Sequence, residues 1–190
     1  MLVPWGAARM VSSARPEVGL STATVGNSTG TWSLPLTRAD GSPLQCAHTR
    51  GSAAEFTAWD CQGVEVSSIV AEKPENADRA LRRAMRAVTF VGVSPETAPV
   101  VTQDLGERGE IAAASMALTS PVGKKQSASP VVAFQLRPKE GEHAGSVLTV
   151  VLHRSSDEGK TRDAAAAVWQ TLAGVEPQGE MRKNVEVTGA

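Results

Sequence analysis

From Pro43 to Ala71 the chain reads PLQCAHTRGSAAEFTAWDCQGVEVSSIVA, three strand-sized runs broken by Arg50-Gly51-Ser52 and Gln62-Gly63. Runs this short, bounded by turn residues, read as antiparallel strands joined by tight connections. Cys46 lies in the first run and Cys61 closes the second, fifteen positions on. Two readings of the pair are open, a disulfide or two free thiols. The disulfide is the expectation adopted. Such a ring is worth about 3 kcal/mol in the loop-entropy account, and it implies an oxidising, extracytoplasmic compartment, whereas free thiols imply the cytoplasm. The opening residues MLVPWGAARMVSSARPEV hold no continuous apolar segment of the signal-peptide kind, so export requires a leader or anchor that this sequence does not contain.

The same pattern extends to both sides. TWSLPL, from Thr31, precedes the turn Ala39-Asp40-Gly41-Ser42 and makes the array a four-strand meander. After it, Lys73-Pro74-Glu75 has the chemistry of a helix start, and Ala77, Leu81, Ala84, Met85 and Val88 recur at helical spacing until the helix ends before Gly92. Four further strand-like runs follow: Val100 to Leu105, Ile111 to Thr119, Pro130 to Leu136 and Ser146 to His153. The polar segment 120–129 connects two of them, and 137–145 reads as a long hairpin tip. Ser155 and Glu158 form a capping box for a second helix, whose stripe of Ala164, Ala165, Val168, Trp169 and Leu172 runs to Gly174. The expected fold class is therefore α+β: an antiparallel sheet of about six to eight strands with two helices. The expected organisation is a flexible arm over 1–28, a single domain over 29–175 and a tail over 176–190.

Charge limits the partners. Lys plus Arg total 19 against 20 Asp plus Glu, a net charge of −1, so no overall field attracts the chain to nucleic acid. No apolar run approaches the roughly 20 residues that span a bilayer, which leaves peripheral contact as the open form of membrane association. The apolar content rests on Ala and Val, with no Tyr and only 3 Phe, and predicts a finely divided core in which Trp32 and Trp59 are structural rather than groove-lining.

No catalytic residue, metal or cofactor is predicted. Gly26-Asn27-Ser28-Thr29-Gly30 matches the nucleophile-elbow string, but it lacks the buried strand before and the helix after that an elbow needs, so it reads as a linker. Cys46 and His48 share a strand face and with Cys61 have zinc-ligand chemistry. They lack a fourth donor unless Asp60, His143 or His153 supplies it. The most suggestive polar feature is a row of arginines on the first helix, Arg79, Arg82, Arg83 and Arg86, suited to an anion or an acidic partner. The alternative is a solvated face balanced by Glu75, Asp78 and neighbouring acids.

The element order, the helix ALRRAMRAVTF followed by a loop, and the helix AAAAVWQTLAG after VLTVVLHR resemble the Mog1/PsbP-like α/β/α sandwich of small actinobacterial envelope lipoproteins and type VII secretion-associated proteins. The resemblance covers residues 29–174. It implies an accessory or partner-binding role with no catalytic residues to carry over, and the chain departs from it in lacking a signal peptide or lipobox. The leading expectation is a non-catalytic accessory domain that binds a protein partner in a cell-envelope complex. A second is a small hydrolase or transferase with a site assembled from His48, Asp60, His153 and a distant Ser. A third is a cytosolic regulatory module that binds an anionic partner through the arginine face.

Overall fold

The computed structural model describes residues 19–49, 57–89, 97–119, 128–153 and 158–186. In chain order the elements are β1 (Leu20–Thr22), β2 (Thr24–Gly26), β3 (Ser33–Pro35), β4 (Gln45–His48), β5 (Thr57–Cys61), β6 (Val64–Ala71) and α1 (Ala77–Thr89). They continue with β7 (Val100–Asp104), β8 (Glu110–Thr119), β9 (Ala128–Arg137), β10 (Val147–His153), α2 (Glu158–Leu172) and α3 (Glu180–Glu186). The fold is α+β. Eight strands make one antiparallel sheet in the order β1-β4-β5-β6-β10-β9-β8-β7, and β2 and β3 make a separate two-stranded ribbon. The sheet is two meanders, β4-β5-β6 and β7-β8-β9-β10, with β1 added along the outer edge of β4, and they join where β6 pairs with β10 from Glu65↔His153 to Ala71↔Val147. Helix α1 carries the chain from the middle of the sheet to its far edge.

Strand periodicity separates the two faces. On β9, Val132, Phe134 and Leu136 point one way and Val131, Ala133 and Gln135 the other. All seven residues of β10 are buried, as a central strand covered on both sides requires. Ala112, Ala114, Val131, Ala133 and Val151 receive Leu81, Ala84, Met85 and Val88 of α1. Alanines on that side of β8 and β9 let the helix come close. The opposite side, with Ile111, Phe134, Leu148, Val150 and Leu152, packs against α2, α3 and residues of the β2–β3 ribbon. Trp169 of α2 meets Phe134 edge-on at 6.0 Å. Both predicted core tryptophans are buried in this larger cluster, and Trp59 Nε1 donates to Thr24 O at 2.6 Å.

The bridge between Cys46 and Cys61 is present, joining residues opposite one another on β4 and β5 with Cα atoms 4.5 Å apart. That spacing belongs to the non-hydrogen-bonded pairs of an antiparallel ladder. The helix starts and stops follow local chemistry. Asn76 caps α1, its Oδ1 accepting from Arg79 N at 2.8 Å, so the helix begins two residues after Glu75 rather than at Lys73-Pro74-Glu75. Gly174 ends α2 at φ +64°, and Arg108 donates to the carbonyls of Leu172 and Ala173 just before it.

Three expectations are corrected. TWSLPL does not extend the main meander, because Ser33–Pro35 pairs with β2, leaving three strands in that array. The fold begins before Thr29: β1 and β2 lie within 1–28, with Ala23 and Val25 fully buried, since the alternation of Ala23 and Val25 with Thr22 and Thr24 suits a half-buried strand. The segment 176–190 contains a third helix, α3, which buries Met181 and Val185, one turn apart. Gln103 ties the approach to α3 to β7, donating to Glu176 O at 3.0 Å and accepting from Gln178 N at 2.9 Å. No helix of the described residues is long and apolar enough to cross a membrane.

Candidate functional site

The sheet-facing stripe of α1 is Leu81, Ala84, Met85 and Val88, at positions i, i+3, i+4 and i+7. Arg79, Arg82, Arg83 and Arg86 repeat that spacing two residues earlier. Two residues turn an α-helix by about 200°, so the arginines line the side pointing away from the sheet. Arg79, Arg83 and Arg86 are exposed and Arg82 is half-buried. Arg82 is also anchored, with Nε and Nη2 donating to Ala98 O at 3.2 and 3.1 Å. Ala98 precedes β7 and is itself buried. A concavity of about 520 Å³ runs beside the stripe, lined among the described residues by Asn76, Arg79, Arg82, Arg83 and Arg86.

The acid nearest in sequence does not neutralise this stripe. Asp78 points instead to Arg137 at the end of β9, where its Oδ1 accepts from Nη2 at 2.6 Å. The same guanidinium donates to Glu110 Oε1 on β8 at 2.8 Å and to Gln135 Oε1 at 2.8 Å, and Gln135 Nε2 donates in turn to Thr149 Oγ1 at 2.9 Å. Arg79 and Arg83 have no carboxylate within ion-pair distance among the described residues. The arrangement is four guanidiniums in one line, one of them held at a fixed angle, with the local acid turned elsewhere. Such a row binds oxyanions, because each guanidinium presents paired donors to carboxylate or phosphate oxygens. Among the described residues that line it, none is a general base or nucleophile.

The other candidate residues are spread out. His48 shares the α2 side of the sheet with Trp59, which it meets edge-on at 4.9 Å. His153 is on the α1 side, buried, with Nε2 3.2 Å from Glu65 Oε1. Asp60 follows Glu65 in the same cross-strand row, on the same side as His153 and opposite to His48. The sheet thus separates the two histidines of the proposed catalytic constellation. His143, on the β9–β10 connection, stacks on Trp32 with ring centres 4.2 Å apart. Cys46 and Cys61 are spent on each other, and among the described residues no three His, Cys, Asp or Glu side chains converge on a metal-sized point.

The string Gly26-Asn27-Ser28-Thr29-Gly30 is the turn between β2 and β3. Ser28 is exposed, and Asn27 N donates to Trp32 O at 3.0 Å. Gly26 is required by crowding, since a Cβ there would lie 1.7 Å from Trp32 O. Of the predicted flexible connection at 120–129, residues 120–127 lie outside the described residues, and Ala128 and Ser129 belong to β9.

Two features that position the stripe escaped sequence reasoning, the Arg137 network and the anchor from Arg82 to Ala98 O. The helix pattern signals the arginines, but nothing local to Arg137 or Ala98 marks their partners 59 and 16 positions away. Comparison with protein-family models and with curated proteins yields no match.

Proposed function

We propose that this chain is a non-catalytic binding domain, an accessory subunit of an actinobacterial cell-envelope complex, which meets an anionic partner through the outward face of α1. The observation that carries this reading is the arginine stripe itself. Four like charges crowd two turns of helix, Asp78 beside them is committed to Arg137, and Arg79 and Arg83 have no carboxylate within ion-pair distance among the described residues. The layering supports the Mog1/PsbP-like assignment, with α1 on one side of an antiparallel sheet and α2 and α3 on the other. The buried bridge between Cys46 and Cys61 supports an oxidising compartment.

The test is cross-linking in native membranes, with mass spectrometry to locate the linked residues. A protein partner cross-linked next to α1 in the wild type is expected to disappear in Arg79→Glu/Arg83→Glu, both of which alter exposed side chains outside the core. An unchanged cross-link pattern in that variant refutes the assignment of the face. Alkylation of native protein before and after reduction tests the compartment: thiols that are free without reductant would remove its support.

A further inference from the structure

This inference rests on reading the outer face of α1 as the binding surface and names what it binds. We infer that the arginine stripe is a site for phosphoryl oxyanions.

Cost comes first. Arg79 and Arg83, and Arg82 and Arg86, are i,i+4 pairs; Arg79 and Arg82, and Arg83 and Arg86, are i,i+3 pairs. Like charges at these spacings destabilise a helix. Asp78 is four residues before Arg82, the favourable order for an acid and a base on a helix, and would relieve the repulsion most directly, yet Arg137 holds it at 2.6 Å. Among Arg79, Arg82 and Arg83 the fold thus retains the repulsion and turns Asp78 elsewhere. A bound polyanion would remove that repulsion.

Every cation of α1 is arginine and none is lysine. Lysine would serve a diffuse positive surface equally well, whereas arginine presents the planar fork that grips two oxygens of one phosphoryl group. Arg82 is oriented for this, because the bonds to Ala98 O fix its plane and leave Nη1 unused. Side chains three and four apart on a helix are neighbours, so Arg79, Arg83 and Arg86 surround that fixed group.

The described surroundings of the stripe suit a phosphoryl group. Interface hot spots combine Arg with large aromatic anchors such as Trp and Tyr. Among the described residues the exposed large hydrophobics are Leu20 and Val175, and neither lies on α1. A concavity of about 520 Å³ falls within the size range of small-molecule sites and exceeds what one orthophosphate fills. A diphosphate group, or the phosphate of an anionic lipid headgroup, suits it.

The experiment has two arms, both on the full chain at low ionic strength. Calorimetric titration with pyrophosphate tests the soluble source. Cosedimentation with phosphatidylglycerol vesicles, against phosphatidylcholine vesicles as control, tests the headgroup source. The variant is Arg79→Gln/Arg83→Gln, which leaves the Arg82 anchor in place, with circular dichroism to verify that it folds. Wild-type binding in either arm, weakened about 30-fold in the variant at roughly 5-fold per arginine, supports the site, and the arm that responds names the source. No wild-type binding in either arm, or binding that the folded variant retains, overturns it. If the phosphoryl site is overturned while Arg79→Glu/Arg83→Glu still abolishes the cross-linked partner, the partner reading stands alone. If oxyanion binding follows the arginines and no cross-link does, only the phosphoryl site stands.

Discussion

Replacing Arg137 with Met tests whether the network at the first turn of α1 both holds the helix and keeps Asp78 away from the arginine stripe. The Arg137 side chain is only 17% exposed, while its ion-pair partners Asp78 and Glu110 are 44% and 37% exposed. A charge-assisted bond in a dry interior is worth about 1.5 to 3 kcal/mol. With each carboxylate nearly half in water, screening brings each pair to about 1 kcal/mol. The neutral bond to Gln135 contributes about the same, and the Met side chain recovers part of the loss by burying apolar surface. The net cost is about 2 kcal/mol, which lowers the melting temperature of a domain this size by about 4 to 8 °C. Urea and thermal unfolding of Arg137→Met, Asp78→Asn and the double variant measure it, with a coupling energy of about 1 kcal/mol expected for the pair. A second readout separates this role from simple support. Freed from Arg137, Asp78 is four residues before Arg82 and compensates the stripe, so Arg137→Met weakens oxyanion binding and the added Asp78→Asn restores it. No coupling together with unchanged binding refutes the reasoning.

The disulfide and one surface ion pair give two further expectations. Cys46→Ala/Cys61→Ala removes a ring of 15 residues and is expected to cost about 3 kcal/mol, or about 6 to 12 °C in melting temperature. Reducing the wild type is expected to reproduce the shift, and an unchanged melt under full reduction contradicts it. Asp104 is held below its ordinary value of 3.8 first by the side-chain hydrogen bond from Lys139, then by the backbone N–H of Gly106. A depressed carboxyl stabilises the fold fully above its unfolded value and loses that contribution as pH falls through the lower folded value. The difference in urea midpoint between wild type and Asp104→Asn is therefore expected to be present above pH 3.8 and to vanish on the acid limb below it. A pH-independent difference would mean that the ion pair is not its source.

Strands with turn residues on both sides were legible because their boundaries are local. Val64–Ala71 and Val147–His153 match their expected runs to within a residue, and Gly174 ends α2 where the sequence placed the stop. The errors fall where burial depends on distant partners. LSTATVG resembles a linker until Leu36 and Leu44 arrive to hydrogen-bond Ala23, and TWSLPL resembles a meander strand until the turn over 27–32 folds it back on β2. In 176–190 the apolar positions Met181 and Val185 span barely one turn, too few to distinguish a docked helix from a tail.

The arginine row was legible for the same reason as the strands: its spacing of i, i+3, i+4 and i+7 is written in the local sequence. Its meaning was not, because that depends on where Asp78 goes. The sequence places Asp78 one residue before Arg79 and four before Arg82, which reads as a self-neutralising face. The sheet reverses that reading by placing Arg137, the last residue of β9, beside the first turn of α1. Asp78 is 44% exposed and Arg137 17% exposed, so the contact lies at the rim between the helix and the sheet. Held by Arg137, Asp78 contributes to docking the helix and leaves Arg79 and Arg83 without a carboxylate partner among the described residues. Helix attachment and surface potential therefore depend on one ion pair, and substitution of either partner is expected to alter both.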